Sequence, residues 1–272
     1  LRSRINPPSE CSIPEDPPID TGGIVIGQSA GGNNIVYYKF GNGAENILLA
    51  GGVHGGYEWN SILLAYKAID YFTENPDAIP DNISLYIIPN VNPDGLKKII
   101  GKTGRFTIAD VPNRPRPENI AGRYNDNNVD INRNFDCNWK ADAAGPGGAI
   151  IEGIGGTKAF SEPESIVLRN FINAYKPKAS VFYHSVGGFI SAGSADCSLN
   201  YYAPGIELAN TYGQYEVIEA GNPFTYEITG DITDWMAKNS LTGINVELSS
   251  AEGTEWERNL MGIQNLLENY GE

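Results

Sequence analysis

Histidine is scarce in this chain: 272 residues hold two, His54 and His184. Any imidazole chemistry rests on those two side chains. Cysteine is nearly as rare, with Cys11, Cys137 and Cys197, and no Cys-x-x-Cys pair occurs, which excludes a thiolate zinc site. An odd count allows at most one intrachain pair. Cys137 with Cys197 is the expected one, since both flank the motifs described below, and three buried thiols are the alternative. A disulfide would favour export. Basic residues are few, 19 against 33 acidic, for a net charge of −14. Such a chain repels phosphate backbones, so a nucleic-acid partner is not expected. No run of about 18 apolar residues occurs, so no membrane span is expected. The longest uncharged runs, 21–38 and 179–195, are interrupted by Gly, Asn and Ser.

What is present suits a folded domain. Hydrophobic residues make up 41% and charged ones 19%, enough to bury a core. With 32 glycines and 17 prolines the chain is loop-rich without being low-complexity. Residues 1–20 carry five prolines and read as an extended N-terminal tether, followed by one domain over 21–272. The chain starts at Leu1, without a signal segment, so it reads as processed or trimmed. An extracellular or cell-envelope location is the expectation, and a monomer the expected state.

Strand and helix patterns alternate. Strands are predicted at 23–28, 35–40, 45–53, 82–89, 179–184 and 243–248; those from 45 on are short, nearly continuous apolar runs suited to a sheet centre. Helices are predicted at 58–73, 161–174 with Ser161 as N-cap, 231–238 and 254–268. Residues 101–160 are rich in Gly, Pro and Asn and read as a long irregular segment, a length that usually serves function. The fold class is α/β: a single-domain three-layer α/β/α sandwich with a mixed central β-sheet.

His54 follows one buried strand and His184 ends another. In open α/β sheets ligands gather beyond the carboxyl ends of strands, so two such histidines can meet at one point. Glu58 lies four residues after His54. Two imidazoles and one carboxylate leave a tetrahedral position open, the pattern of a catalytic zinc. Asp126, Asn127, Asn128 and Asp130 have the composition of a calcium loop, but the glycine and distal Glu of an EF-hand are missing, so the segment reads as an active-site loop.

Five motifs occur in order: Asn90-Val-Asn-Pro-Asp-Gly95, the run from Gly122-Arg-Tyr to Asn132-Arg-Asn-Phe135, Ser161-Glu-Pro-Glu164, Tyr183-His-Ser185 and Val246-Glu-Leu248. On these the chain, from about residue 22 to its C-terminus, resembles the zinc carboxypeptidase family, the carboxypeptidase A-like metallopeptidases. The resemblance implies one Zn2+ held by His54, Glu58 and His184. The family's usual spacing is His-x-x-Glu; here it is His54-Gly-Gly-Tyr-Glu58, with the extra residue expected in the Gly55-Gly56 pair. Tyr57 stands where the family often has an Arg. Asp130 is implied to orient the first zinc histidine. Asn132 and Arg133 are implied to bind the substrate's terminal carboxylate, Arg133 through its planar fork.

Arg123, rather than its neighbours Arg114 and Arg116, resembles the arginine that stabilises the oxyanion. Glu247 is implied as general base and then acid; a carboxylate in an apolar strand is costly without a task. Tyr226, eight residues before Asp234-Trp235, resembles the tyrosine that closes over substrate. Thr233 falls at the position that tunes the pocket for the terminal side chain, with Ile228 and Thr225 near it, and names no preferred residue.

The leading expectation is a zinc metallocarboxypeptidase acting on peptides with a free C-terminal carboxylate. Two others stand beside it: hydrolysis of cell-wall (murein) peptides on the same zinc core, and a non-catalytic binding domain on the same fold. Every ligand and general-base position is filled, which disfavours the last.

Overall fold

The computed structural model describes residues 22–198 and 200–271. The tether at 1–20 and Cys11 lie outside them. In chain order the elements are β1 (Ile24–Gln28), β2 (Asn34–Phe40), β3 (Glu45–Ala50), α1 (Trp59–Glu74), β4 (Ile83–Ile88) and α2 (Pro93–Ile100). A long stretch of short 3-10 turns follows, with a ribbon of β5 (Ala143–Ala144) and β6 (Ile150–Ile151). Then come α3 (Pro163–Tyr175), β7 (Ala179–Ser185), β8 (Phe189–Ala192), α4 (Ala203–Tyr212) and β9 (Glu216–Ile218). The chain closes with α5 (Ile232–Lys238), β10 (Gly243–Leu248) and α6 (Trp256–Gly271).

Eight strands form one mixed sheet in the order β1-β2-β4-β3-β7-β10-β8-β9. Its centre, β4-β3-β7-β10, is parallel throughout. β2 joins β4 and β8 joins β10 antiparallel. The parallel strands are buried on both faces, as their unbroken apolar sequence requires.

Strand alternation divides the core in two. Ile47 and Leu49 of β3, Val181 and Tyr183 of β7 and Ile244 and Val246 of β10 point to one face, where α1, α4 and α6 supply Ile62, Phe72, Leu208, Tyr212 and Leu266. Leu48, Ala50 and Phe182 point to the other, against Phe171 and Ile172 of α3 and Trp235 and Met236 of α5. Two cores, one on each side of one sheet, give the three-layer architecture expected from the sequence.

Three details differ from expectation. The N-cap of α3 is Glu162, not Ser161. The Ser161 hydroxyl instead donates to Glu162 Oε1 (2.7 Å) and accepts from Asn134 Nδ2 (2.9 Å). Helix α2 was not anticipated, although its signals stand in the sequence. Asn92 caps it through Gly95 N (2.8 Å), Pro93 opens it, and Gly101 at φ 79° closes it. Strands β8 and β9 and helix α4 were likewise not anticipated.

Cys137 and Cys197 form a disulfide, with their Cα atoms 5.4 Å apart and the two positions 60 apart in sequence. It ties the segment after Arg133 to the loop following β8. The double substitution C137S/C197S should lower unfolding stability by about 2–4 kcal/mol, the usual effect of a crosslink closing a loop of this size. The urea midpoint measures it, and an unchanged midpoint would remove the bridge from the stability of the fold.

Candidate active site

Strand ends bring the site together. β10 pairs with β7 so that Glu247 lies directly beside His184. Both project from the sheet face opposite Tyr183 and Val246, towards α3 and α5. β3 ends at Ala50, and the chain turns through Gly51 and Gly52 to His54. Gly55–Glu58 then form a 3-10 turn that enters α1.

The Gly55-Gly56 pair is held in a turn that has no room for side chains. Gly55 has φ +45°, and a Cβ there would lie 2.7 Å from the Gly122 carbonyl oxygen. A Cβ on Gly56 would lie 2.7 Å from the Gly95 carbonyl oxygen. Side chains at either position would push the turn off α2 and the 116–123 segment. The Ser61 hydroxyl fixes the turn from the other side, donating to Glu58 O (2.7 Å) while accepting from Gly52 N (3.1 Å).

Through this turn His54 Nδ1 comes within 2.9 Å of Glu58 Oε1. His184 Nδ1 lies 3.1 Å from Glu58 Oε2 and 3.2 Å from His54 Nδ1. All three residues are buried. Donors about 2.0–2.1 Å from one tetrahedral zinc stand roughly 3.3 Å from each other, so these separations suit a shared ion. The chemistry suits it too. Two facing imidazole nitrogens and a carboxylate concentrate lone pairs, and a single proton between them satisfies only one contact. The triad fits a zinc ion.

Asp130 lies behind the triad, fully buried. Its Oδ2 accepts from Arg123 Nε (2.6 Å), its Oδ1 accepts from Asn132 N (3.0 Å), and Oδ1 is 3.3 Å from His54 Nε2. That last approach is poorly aligned, so His54 Nε2 makes no full hydrogen bond. Burial alone would raise the Asp130 carboxyl; Arg123, His54 and Arg133 outweigh it and hold the group far below the usual carboxylate range. Glu58 behaves alike: burial opposes ionisation, and the two histidines overcome it. Arg123 itself is buried; burial alone would favour losing its proton, but Asp130 and Glu58 more than offset this and hold the guanidinium charged. Its Nη1 lies 3.3 Å from His54 Nδ1 and 3.7 Å from Glu58 Oε1.

The cleft, about 270 Å3, is lined by the triad, Arg116, Arg123, Asn132, Arg133, Tyr226, Ile228 and Glu247 among others. Arg133 is clamped by two carbonyls, Ala144 O at 3.0 Å and Asn132 O at 2.8 Å. Its Nη2 has no protein partner among the described residues and remains available to an anion. Asn132 is more committed. Its Nδ2 donates to Asp231 Oδ2 (2.7 Å) and its Oδ1 accepts from Ile232 N (3.0 Å), leaving one amide hydrogen. Glu247 is half-buried, and burial pushes its carboxyl up to about 7; His184, Arg123 and Arg116 pull it down while Glu58 adds to the rise.

Two groups in this region were not singled out as site residues from the sequence. Arg116, set aside there in favour of Arg123, stacks on Tyr57 with its guanidinium carbon 4.1 Å from the ring centre and reaches Glu58 Oε1 at 3.4 Å. Tyr57, standing where the family often has an arginine, thus carries an arginine from elsewhere in the chain. Asp231 lines the cleft beside Asn132. Thr233, by contrast, lines an adjoining recess instead of the main cleft. Its hydroxyl donates to Asp231 Oδ1 (2.6 Å) and accepts from Asn245 Nδ2 (3.1 Å). Thr225 lies exposed outside both.

A zinc carboxypeptidase family profile matches residues 15–257. The chain belongs to the zinc carboxypeptidase family. It is 32% identical over 160 residues to bacteriocin BCN5 of Clostridium perfringens, covering 58% of this chain and 16% of that protein. It is 26% identical over 219 residues to zinc carboxypeptidase A 1 of Anopheles gambiae, covering 74% of this chain and 47% of that one. The chain thus spans less than half the length of either relative. Among solved structures, bovine thrombin-activatable fibrinolysis inhibitor superposes with a TM-score of 0.68 at 19% identity, covering 91% of this chain and 89% of that one. The murein-tripeptide amidase MpaA of Escherichia coli O157 gives 0.57 at 22% identity, covering 90% and 91%. These two likenesses establish the carboxypeptidase-like fold. The family is one of zinc-dependent enzymes, and the His54–Glu58–His184 cluster of this chain offers a donor set that suits such an ion.

If Asp130 orients His54, D130N should weaken zinc binding about 10–100-fold, as loss of such a partner does elsewhere. Competition with a chelating dye measures this. Unchanged affinity in a folded variant would detach Asp130 from the centre.

Proposed function

We propose that this chain is a metallocarboxypeptidase, hydrolysing the last peptide bond of peptides with a free C-terminal carboxylate. The reading is carried by one observation: the three-donor cluster shares one cleft with Glu247 and with Arg133, whose Nη2 has no protein partner among the described residues. Zinc held by His54, Glu58 and His184 would supply Lewis-acid activation of water and of the scissile carbonyl.

The remaining work falls to the chain's own groups. Arg133 and the spare amide hydrogen of Asn132 hold the terminal carboxylate and so place the last peptide bond over the cluster. Glu247 takes a proton from the attacking water as its oxygen bonds to the carbonyl carbon. Arg123 donates to the developing oxyanion, fixed in place by Asp130. The C–N bond then breaks, and Glu247 returns the proton to the departing amine. Its carboxyl, pushed up to about 7, is suited to both transfers. Tyr226 lines the cleft mouth and covers the bound chain end. A bridged Cys137–Cys197 pair suits an oxidising compartment, supporting an extracellular or envelope site of action.

The murein-tripeptide amidase that shares this fold gives reason to include cell-wall peptides in the assay. Hydrolysis of murein peptides in preference to protein-derived ones would shift the reading to that substrate. Two substitutions test the mechanism. E247Q should retain zinc while turnover falls by several orders of magnitude, and a near-normal rate removes Glu247 from the chemistry. R133A should raise KM for free-ended peptides, so that any preference over their C-terminal amides is lost. An equal effect on both ends the case for carboxylate recognition.

A further inference from the structure

Asn60 is the second residue of α1 and is fully buried. An amide there is costly: asparagine is a weak helix former, and a buried polar group must find partners. It finds three, none of them in its own helix. Its Nδ2 donates to Ser250 O (2.8 Å) and Gly253 O (3.0 Å), and its Oδ1 accepts from Ser185 Oγ (3.0 Å). The orientation is forced. Carbonyl oxygens only accept, so both amide hydrogens face the 250–253 turn and the amide oxygen faces Ser185.

Those partners belong to the strands that carry the rest of the centre. Ser185 follows His184 and pairs with Leu248, the residue after Glu247. The turn at 250–253 continues from β10 and is pinned from within. Glu255 Oε1 accepts from Ser249 N (2.6 Å) and Ser250 N (3.1 Å), and Ser250 Oγ accepts from Gly253 N (2.9 Å). Among the described residues no backbone hydrogen bond joins α1 to β7 or β10. Glu58 enters α1, while His184 and Glu247 ride on the strands. Asn60, two residues from Glu58, ties the helix to both strand ends.

A second arm closes the circuit. Arg116 Nη2 donates to Ser185 O and lies 3.4 Å from Glu58 Oε1. Ser185 thus meets Asn60 through its hydroxyl and Arg116 through its carbonyl, and both lead back to Glu58. The first arm holds the backbone of the helix that Glu58 enters, and the second holds its carboxylate. A leucine at position 60 would add apolar burial but leave the two carbonyls and the Ser185 hydroxyl without this partner.

We propose that Asn60 is a positioning residue: it fixes Glu58 against the ends of β7 and β10, and so sets the spacing of the zinc donors from one another and from Glu247. It lies outside the lining of the cleft and acts through Glu58 and Ser185. The proposal rests on the zinc cluster and on Glu247 as general base, and it extends that reading to a residue behind the donors.

The test compares wild type, N60A, S185A and the double variant, with N46A as control. Asn46 also anchors a segment by its amide, Nδ2 to Tyr175 O at 2.6 Å, but at the start of β3, the end of that strand away from His54. Competition with a chelating dye reads zinc affinity and needs no cleavable substrate. N60A should weaken zinc binding about 10–100-fold, the usual cost of losing a group that holds metal ligands in place. S185A should weaken it by a smaller factor. The double variant should lose no more than N60A, because the hydroxyl acts through the amide. N46A should bind zinc as the wild type does. In zinc-saturated N60A, kcat on a blocked dipeptide should fall ~10–100-fold with KM little changed, since Arg133 and Asn132 hold the substrate from another segment. Folded N60A and S185A with wild-type zinc affinity overturn the proposal. So does a loss in N46A equal to theirs, or losses that simply add in the double variant. If N60A does not fold, S185A against N46A decides in the same way. If the wild type cleaves no peptide, the carboxypeptidase reading fails on its own account, and the zinc affinities still decide the role of Asn60.

Discussion

The structure depends on three electron-pair donors brought within 2.9–3.2 Å of one another in a buried place. Among the described residues nothing neutralises that arrangement fully. Arg123 and Arg116 approach Glu58, but at 3.7 Å and 3.4 Å, too far to replace an ion between the donors. Sheet parity makes the crowding possible. His184 and Glu247 sit side by side because β7 and β10 run parallel in register, and the opposite parity buries Tyr183 and Val246 in the other core. A slip of one residue in β10 would put Val246 or Leu248 beside His184 in place of Glu247. The apolar packing of both cores thus fixes the register that the chemistry needs.

Charge in and around the cleft is distributed against the bulk of the molecule. The chain carries a net −14, yet the main cleft gathers Arg116, Arg123 and Arg133. Each is held differently: Arg123 by buried Asp130, Arg133 by two carbonyls, Arg116 by the face of Tyr57. The differences bear on function. A guanidinium paired with a carboxylate is a fixed dipole, suited to stabilising charge as it develops. One held only by carbonyls keeps its full charge for an incoming carboxylate. Three acids, Glu58, Asp231 and Glu247, line the same cleft, and the adjoining recess has no arginine in its lining.

Much of this was legible from residue order. Strands 45–53 and 179–184 were readable as apolar runs, and the histidines at their ends could be placed beyond the sheet's carboxyl edge without coordinates. The Gly55-Gly56 pair was recognisable as the place for an extra residue, because only glycine tolerates both the positive φ and the close carbonyls. Helix α2 escaped because Asn90–Gly95 read as a motif, although Asn92, Pro93 and Gly101 are ordinary helix punctuation. Strand β8 escaped because four residues among glycines and serines give too little pattern. The N-cap of α3 was misplaced by one residue because Ser161 hydrogen-bonds sideways to Asn134 and Glu162.

Arg116 and Asp231 illustrate what residue order does not carry. Arg116 competes with Arg114 and Arg123 within ten residues, and only the fold shows that Arg116 stacks on Tyr57 and, like Arg123, approaches Glu58. Asp231 reads as the cap of α5, and it is one, accepting from Thr233 N and Asp234 N at 2.7 and 3.2 Å. Its second carboxylate oxygen meets Asn132 and Asn245, side chains 99 and 14 residues away in sequence. One aspartate thereby closes a helix end, fastens the turn that carries Asn132 and orients the Asn245 amide. The helix needs a cap wherever it starts; starting it here, against β10, makes a local requirement of the backbone part of the cleft lining.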